Sequence, residues 1–417
     1  MGQFVGLDVS VEETSICVMD AGGTVLHESK VKSTPAAISR ALHRHAPEAE
    51  RIGIEAGASS SWLCRQLREA GHRIIHMESR HAHRALSMRL NKTDKNDARG
   101  LADLMRVGWF KSVHSRTLDS QYTRSMLLAR KRLVDTKRQF ENQLRNIMKV
   151  FGCMLGSTAG RGFVQRVEAA CKNDPVVHRL CEPILRLVRE LRLQINAYER
   201  QLRAMARHDE TTRRMMTVPG IGALTALAFK SSIDNPHRFR HSADVGAFLG
   251  LTPRRHQSGE MDWTGRISRL GDGLVRTYLF EAASVLTGKI ERWSRLKAWG
   301  VRLARRVGMK KARVAVARKL AVVLHSILGR RHSRRQHSAR DLLNPLGRAD
   351  RPAGTMGMVT SQRSSRAFGT ARVTMRRHTD VAHDDGSPSA DLVKNAEPGS
   401  GRSGHRIEMW RPDMDGA

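Results

Sequence analysis

Phe4-Val5-Gly6-Leu7-Asp8-Val9 is a short apolar run with one acid in it. Ser10-Val11-Glu12 reads as a turn, and Thr14-Ser15-Ile16-Cys17-Val18-Met19 as a second strand. Ala21-Gly22-Gly23 supplies a hairpin turn before a third strand over Val25 to Val31. A three-stranded meander is expected, then a helix from about Pro35 to His45 capped by Ser33 or Thr34. Arg51-Ile52-Gly53-Ile54-Glu55-Ala56 repeats the first pattern, an apolar strand ending in an acid. A helix over Ser61 to Ala70, with Trp62, Leu63 and Leu67 on one face, closes at Gly71, and Arg73 to Met77 is a fifth strand. Strands alternating with helices after an antiparallel start predict an α/β front, a mixed sheet covered by helices.

Asp8 and Glu55 stand out in that pattern. A lone acid in an apolar strand is expensive to bury unless it is paired or bound to a metal. If the two strands are sheet neighbours, their carboxylates converge. Asn91-Lys92-Thr93-Asp94-Lys95-Asn96-Asp97-Ala98 then places two more acids three residues apart at the start of a helix through Leu101, Leu104 and Met105. Residues at i and i+3 share a helix face. Taken alone, the pair is most simply an aspartate cap and a first-turn aspartate favoured by the helix dipole. Taken with Asp8 and Glu55 it completes a four-carboxylate cluster. Such a cluster repels itself, and an all-oxygen donor set suits Mg²⁺ or Mn²⁺.

The chain has 417 residues and a formal net charge of +33, room for two or three domains and a balance that predicts binding to polyphosphate. Five cysteines are scattered, with no CxxC pair, which speaks for reduced thiols and against a zinc site. The N-terminus opens directly on a strand-like run and no apolar stretch reaches transmembrane length, so no signal peptide, no membrane association and a cytoplasmic location are expected.

Asp119 to Phe151 and Pro183 to Met205 carry apolar residues at helical spacing and crowd arginine and lysine elsewhere, as an antiparallel helical arm would. Thr217-Val218-Pro219-Gly220-Ile221-Gly222 opens a new unit. Its turn is either a phosphate-holding helix start or a tight link between packed helices. Phe239 to Leu249 is expected to be helical. The segment from Gly250 to Asp272 is expected to be irregular, glycine-rich and basic, and within it Ser258 precedes a glycine that lets a substrate approach. Thr264 and Ser268 are comparable hydroxyls, and His256 and Glu260 are candidate bases. Helices are expected over Leu274 to Leu286, Trp293 to Val307 and Val314 to Leu328. From about Arg330 the periodicity collapses into a basic run and then Pro-, Gly- and Ser-rich sequence, as in a disordered tail.

In this order, GLDVS with Asp8, GIEAG with Glu55, KTDKNDA with Asp94 and Asp97, GLTPRRHQSGE with Ser258, and GRISRLGD resemble the DEDD transposases of the insertion-sequence "one-ten" family. The QSGE wording is closest to its "eleven-eleven" subgroup, and the match covers roughly residues 4 to 328. The resemblance implies a RuvC-like, RNase H-fold domain over residues 1–115 and a helical coiled-coil arm over 116–210. It further implies a mainly helical transposase domain with a catalytic serine over 211–330, leaving 331–417 as the tail. It implies Asp8, Glu55, Asp94 and Asp97 as a Mg²⁺ (or Mn²⁺) cluster and Ser258 as the nucleophile. Gln257 stands where members of the other main subgroup often have a first serine. Implied partners are double-stranded DNA, both element ends and target, a guide (bridge) RNA, and further copies of the chain, with the active site assembled across protomers. The implied reaction is transposition through a covalent phosphoserine. The rival function is a RuvC-like metal-dependent nuclease or Holliday-junction resolvase using water. An actin-like ATPase lacks its second phosphate turn here, and a noncatalytic binder leaves the four acids unexplained.

Overall fold

The computed structural model describes residues 2–87, 91–155, 162–172 and 174–329; the expected disordered tail, 331–417, lies outside the described residues. The front of the chain builds β1 (Gln3–Val9), β2 (Glu13–Met19), β3 (Val25–Lys32), α1 (Pro35–His45), β4 (Ala49–Glu55), α2 (Ser60–Glu69), β5 (Ile74–Met77), α3 (Ser79–Leu86) and α4 (Asp94–Val107). The sheet order is β3-β2-β1-β4-β5. β2 pairs antiparallel with both β1 and β3, while β4 runs parallel to β1 and to β5. The mixed sheet covered by helices is thus as expected.

The two faces of this sheet divide by strand alternation. Val5, Leu7, Ile16, Val18, Ile52 and Ile54 point to one side and bury against Ile38 and Leu42 of α1 and Leu63 and Leu67 of α2. Phe4, Cys17, Met19 and Met77 point to the other side, where α4 lies with Ala98, Leu101, Ala102 and Met105. Thr34 caps α1, accepting from the Ala37 amide at 3.3 Å.

Two long helices follow, α5 (Leu118–Val150) and α7 (Pro175–His208), with α6 (Gly162–Cys171) between them. Leu144 and Met148 near the end of α5 pack with Cys181 and Leu185 near the start of α7. Met126 and Leu127 at the start of α5 pack with Leu202 and Ala206 at the end of α7, so the pair is antiparallel. α7 starts at Pro175, eight residues before the expected start. Asp174 caps it, accepting from the amides of Val176 at 2.9 Å and Val177 at 3.1 Å, and Pro183 sits inside the helix. A proline there removes one backbone hydrogen bond, but the buried stripe Val177, Cys181, Leu185 and Val188 runs straight through it.

The remainder is α8 (Glu210–Met216), α9 (Ala223–Ile233), α10 (Asp244–Phe248), β6 (Pro253–Ser258), β7 (Met261–Ile267), α11 (Gly273–Gly288), α12 (Arg295–Val307) and α13 (Met309–Gly329). Two expectations are corrected here. The helix expected over Phe239 to Leu249 is only α10, preceded by a 3-10 turn at Pro236–Arg238. Side chains take the backbone's partners: Arg238 Nε donates to the Ile233 carbonyl at 3.2 Å, and Asp244 Oδ2 accepts from the His241 amide at 3.0 Å. The Arg238 guanidinium also lies 4.4 Å from the ring centroids of both Phe239 and Phe248, closing the chain on itself. The segment expected to be irregular contains a β-hairpin, β6 pairing antiparallel with β7. β6, Pro253–Ser258, is exposed along its whole length and carries none of the apolar alternation by which a half-buried strand is recognised, although Met261, Trp263 and Ile267 of β7 do alternate with polar residues.

Candidate active site

Glycine and acid recur two residues apart on neighbouring strands: Gly6-Leu7-Asp8 in β1 and Gly53-Ile54-Glu55 in β4. Gly6 and Gly53 are register partners, and so are Leu7 and Ile54. A Cβ on Gly6 would overlap the Ala98 carbonyl oxygen and the Ala102 amide nitrogen, and one on Gly53 would press on Met105. The two glycines form the floor on which α4 lies. Positions i and i+2 of a strand share a face, so Asp8 and Glu55 emerge on α4's side, at the carboxyl ends of two parallel strands.

α4 brings its first turn to the same place. Thr93 caps it, accepting from the Asn96 amide at 3.1 Å, so the cap is a threonine and both aspartates are free of that duty. Asp97, one turn into the helix, is half-buried, whereas Asp94 is exposed. Asp94 Oδ2 pairs with Lys30 Nζ at 3.2 Å, and Lys30 also reaches Glu13 at 3.4 Å. Lys30, Glu28, Ser15, Thr93 and Lys95 line a cleft of about 400 Å³ beside Asp94.

The electrostatics tie the acids together. Burial, then the charges of Asp97, Asp94 and Glu55, push the Asp8 carboxyl up to about 6, against the opposing pull of Lys92. Burial also raises Glu55, with Asp97 adding to the rise and His83 and Lys92 opposing it. Yet among the described residues no group of three His, Cys, Asp or Glu side chains is close enough to hold a metal ion. Asp8, Glu55 and Asp97 therefore share one field without closing into a cage, and Asp94 is turned to Lys30. The donor chemistry fits a hard divalent cation, and mutual repulsion is what such an ion relieves. Lys92 flanks the aspartate pair in the sequence, whereas Lys30 and His83 were not singled out from it; only the repeated glycine–x–acid spacing could have marked the surface they surround.

Ser258 lies elsewhere, at the last position of β6, exposed, opposite Met261 and next to Gly259 with φ +55°. Among the described residues its hydroxyl has no hydrogen-bond partner. His256 shares its face of the strand, but that ring is stacked on Trp263. Neither β6 nor β7 packs extensively on β1, β4 or α4. The base of the hairpin is locked: a Cβ on Gly250 would meet the Leu270 amide at 2.7 Å, and one on Gly271 would overlap the Phe248 carbonyl. Thr264 lies in β7 and Ser268 just beyond it, its amide donating to the Thr252 carbonyl at 2.8 Å. In the Pro219–Gly222 turn, Gly220 has φ +87° and its Cα faces the Ala282 carbonyl of α11, as a tight link between packed helices requires.

The front and rear of the chain meet at Asp234, which ends α9 with φ +59°. Its carboxylate accepts from Thr117 N at 3.0 Å, Thr117 Oγ1 at 2.7 Å and Ser120 Oγ at 2.6 Å, and pairs with His114 Nε2 at 2.6 Å. Those bonds outweigh burial and hold its carboxyl at about 2. Arg124 pairs with Asp272, and Arg80 Nη1 reaches the Leu270 carbonyl at 3.2 Å.

Two transposase models match the chain, one over the acids and one over the serine. Residues 5–152 match a DEDD transposase model, and residues 212–298 match one described as "Transposase IS116/IS110/IS902 family". A transposase for insertion sequence element IS1111A from Coxiella burnetii is 28% identical over 343 residues, covering 80% of this chain and 91% of its own. A probable family 20 transposase from Pseudomonas aeruginosa is 27% identical over 337 residues, covering 78% of this chain and 96% of its own. The chain is an enzyme of the DNA transposase class. It carries both domains of the IS110/IS116 transposases and belongs to that family.

Proposed function

We propose that the chain excises and inserts an insertion-sequence element by Ser258-linked DNA strand cleavage and rejoining, with Asp8, Glu55, Asp94 and Asp97 as the acidic half of the site. The observation that carries this reading is the convergence of Asp8, Glu55 and Asp97 at the start of α4, strong enough to push the Asp8 carboxyl up to about 6. That arrangement is costly unless a cation uses it. The strand order β3-β2-β1-β4-β5, with one antiparallel strand on an otherwise parallel core, supports the RuvC-like assignment of this domain.

In the reaction, Ser258 Oγ attacks a backbone phosphorus and the P–O3′ bond breaks. The serine keeps the 5′-phosphate end, its proton passes to a base, and the leaving oxygen takes up a proton as a free 3′ hydroxyl. Attack of another 3′ hydroxyl on the phosphoserine reverses the step and rejoins DNA, without net loss of phosphodiester energy. A bound Mg²⁺ or Mn²⁺ would stabilise developing oxyanion charge at the carboxylates. Lys92 and His83 set the local field around those acids. Gly259 beside the serine leaves room for the DNA backbone. Because the hairpin stands apart from the acids, the complete site is assembled when DNA, a guide (bridge) RNA and further protomers come together. The basic faces of α5 and α7 supply phosphate contacts for that assembly.

Ser258→Ala should abolish cleavage and remove a serine-linked 5′ DNA adduct seen on denaturing gels with the wild-type chain. Asp8→Asn and Asp97→Asn should abolish recombination while DNA and RNA binding persist. The exposure of Ser258, whose hydroxyl has no hydrogen-bonded base among the described residues, favours one alternative, a metal-dependent nuclease or junction resolvase using water. Full Mg²⁺-dependent cleavage by Ser258→Ala would establish it.

A further inference from the structure

The β6–β7 hairpin carries an aromatic surface that stays open to solvent. His256 and Trp263 are cross-strand partners, and their rings stack with centroids 4.2 Å apart and planes 14° apart. A Cβ on Gly265 would come within 3.0 Å of Trp263 Cζ3, so the indole lies over a gap that only glycine leaves. Held by the imidazole and lying over Gly265, Trp263 is still 55% exposed, and Met261 beside it is 68% exposed. No core lies beneath: β6 is exposed throughout, and the hairpin is tied instead by the Arg255–Asp262 pair on its opposite face.

Trp263 and Ser258 share a face. The His256–Trp263 pair is followed, two residues along the ribbon, by the Ser258–Met261 pair. Two residues of strand span about 7 Å, roughly two base-stacking steps of 3.4 Å. The surroundings select the ligand's charge: Arg254, Arg255, Arg266 and Arg269 lie in or beside the hairpin against Glu260 and Asp262, and Asp262 is taken by Arg255. An open aromatic plane in a basic frame accepts a nucleobase whose phosphate stays close.

We infer that Trp263, braced by His256, is a stacking platform for the base one or two nucleotides from the phosphodiester that Ser258 attacks, holding that base out of its duplex stack. Trp263 is thus a positioning residue, and the inference rests on Ser258 being the nucleophile. Two-stranded ribbons enter DNA grooves, and apolar side chains unstack base steps there. The hairpin would act as ribbon and wedge at once.

The test uses the full chain bearing Ser258→Ala, with its guide RNA, and duplexes of its own element end carrying 2-aminopurine at successive positions around the cut. A fluorescence change confined to one or two positions is expected. It should be lost with Trp263→Ala and retained with Trp263→Phe. In the cleavage-competent background, Trp263→Ala should weaken binding of that duplex by roughly 5- to 150-fold, the range for one lost base stack, with Trp263→Phe restoring most of it. A position-independent signal, or one unchanged by Trp263→Ala, overturns the inference. So does loss of self-association in Trp263→Ala with the DNA signal intact, which would make this face a contact between copies. Failure of the serine reading shows separately, as adduct-free cleavage by Ser258→Ala.

Discussion

Asp8 shows how a single carboxylate can oppose the fold that carries it. Its carboxyl is raised to about 6, above an unfolded value near 3.9. Its contribution to stability is therefore fully present below about pH 4 and is lost as pH rises through 6. At pH 7 the ionised group destabilises the metal-free protein, by about 1 kcal/mol after discounting for its partial exposure to solvent. Asp8→Asn should raise the urea midpoint at pH 7 and lose that advantage by pH 4. Adding Mg²⁺ should stabilise the wild-type chain and leave the variant nearly unmoved. An equal response in both would separate Asp8 from any cation site. Asp234 has the opposite sign. Held at about 2, it stabilises the fold above pH 4, and that stability fades as pH falls toward 2. Asp234→Ala strips four contacts to three residues at once and should lower stability by about 1–3 kcal/mol in a denaturant titration.

At the scale of elements, α4 is the piece that makes the acidic site. Its seat is Gly6, whose missing side chain admits the helix backbone. Gly6→Ala should cost about 1–3 kcal/mol by overpacking, and it should also lower the Asp8 carboxyl's pKa by moving Asp94 and Asp97 away. NMR titration of Asp8 distinguishes that outcome from a purely local strain. Much of this front was legible in the sequence because β1, β2, β4 and β5 bury residues and write apolar runs, as in Val5–Leu7 and Ile52–Ile54. The hairpin was not, since Pro253–Ser258 contacts water on both faces and its order comes from cross-strand pairs, Arg255 with Asp262 and His256 with Trp263. The true start of α7 was hidden because Pro183 reads as a boundary, while Asp174 and Pro175 hold the actual cap. In the candidate site, Asp8 and Glu55 were expected to meet on the condition that their strands are sheet neighbours, and β1 and β4 pair in parallel. The Lys30 contact that turns Asp94 aside depends on three-dimensional packing across β3 and left no pattern to read.

For the whole molecule, charge dominates encounter. With a net +33, affinity for nonspecific duplex should fall about a thousandfold or more between 50 and 200 mM salt if six or more phosphates are engaged. A shallow salt slope in a filter-binding titration would mean that most of the arginines and lysines face solvent in the complex. Among the described residues, no helix is long and apolar enough to cross a membrane. The acid-bearing sheet and the serine-bearing hairpin belong to one compact unit, and among the described residues the front and rear of the chain are joined through Asp234, Arg124–Asp272 and Arg80.

Gly6 and Gly53 have a consequence for how copies of a mobile element decay. The residues that set the acids in place are the same ones that let the core close, so damage at the glycines removes protein as well as activity. Under the proposed mechanism, damage at Asp8, or at the solvent-facing Ser258, would leave a well-folded chain that still binds nucleic acid and performs no chemistry. Copies silenced in that second way would compete with intact ones for the same DNA ends, acting as dominant inhibitors of their own element, whereas copies broken at the seat of α4 would simply disappear.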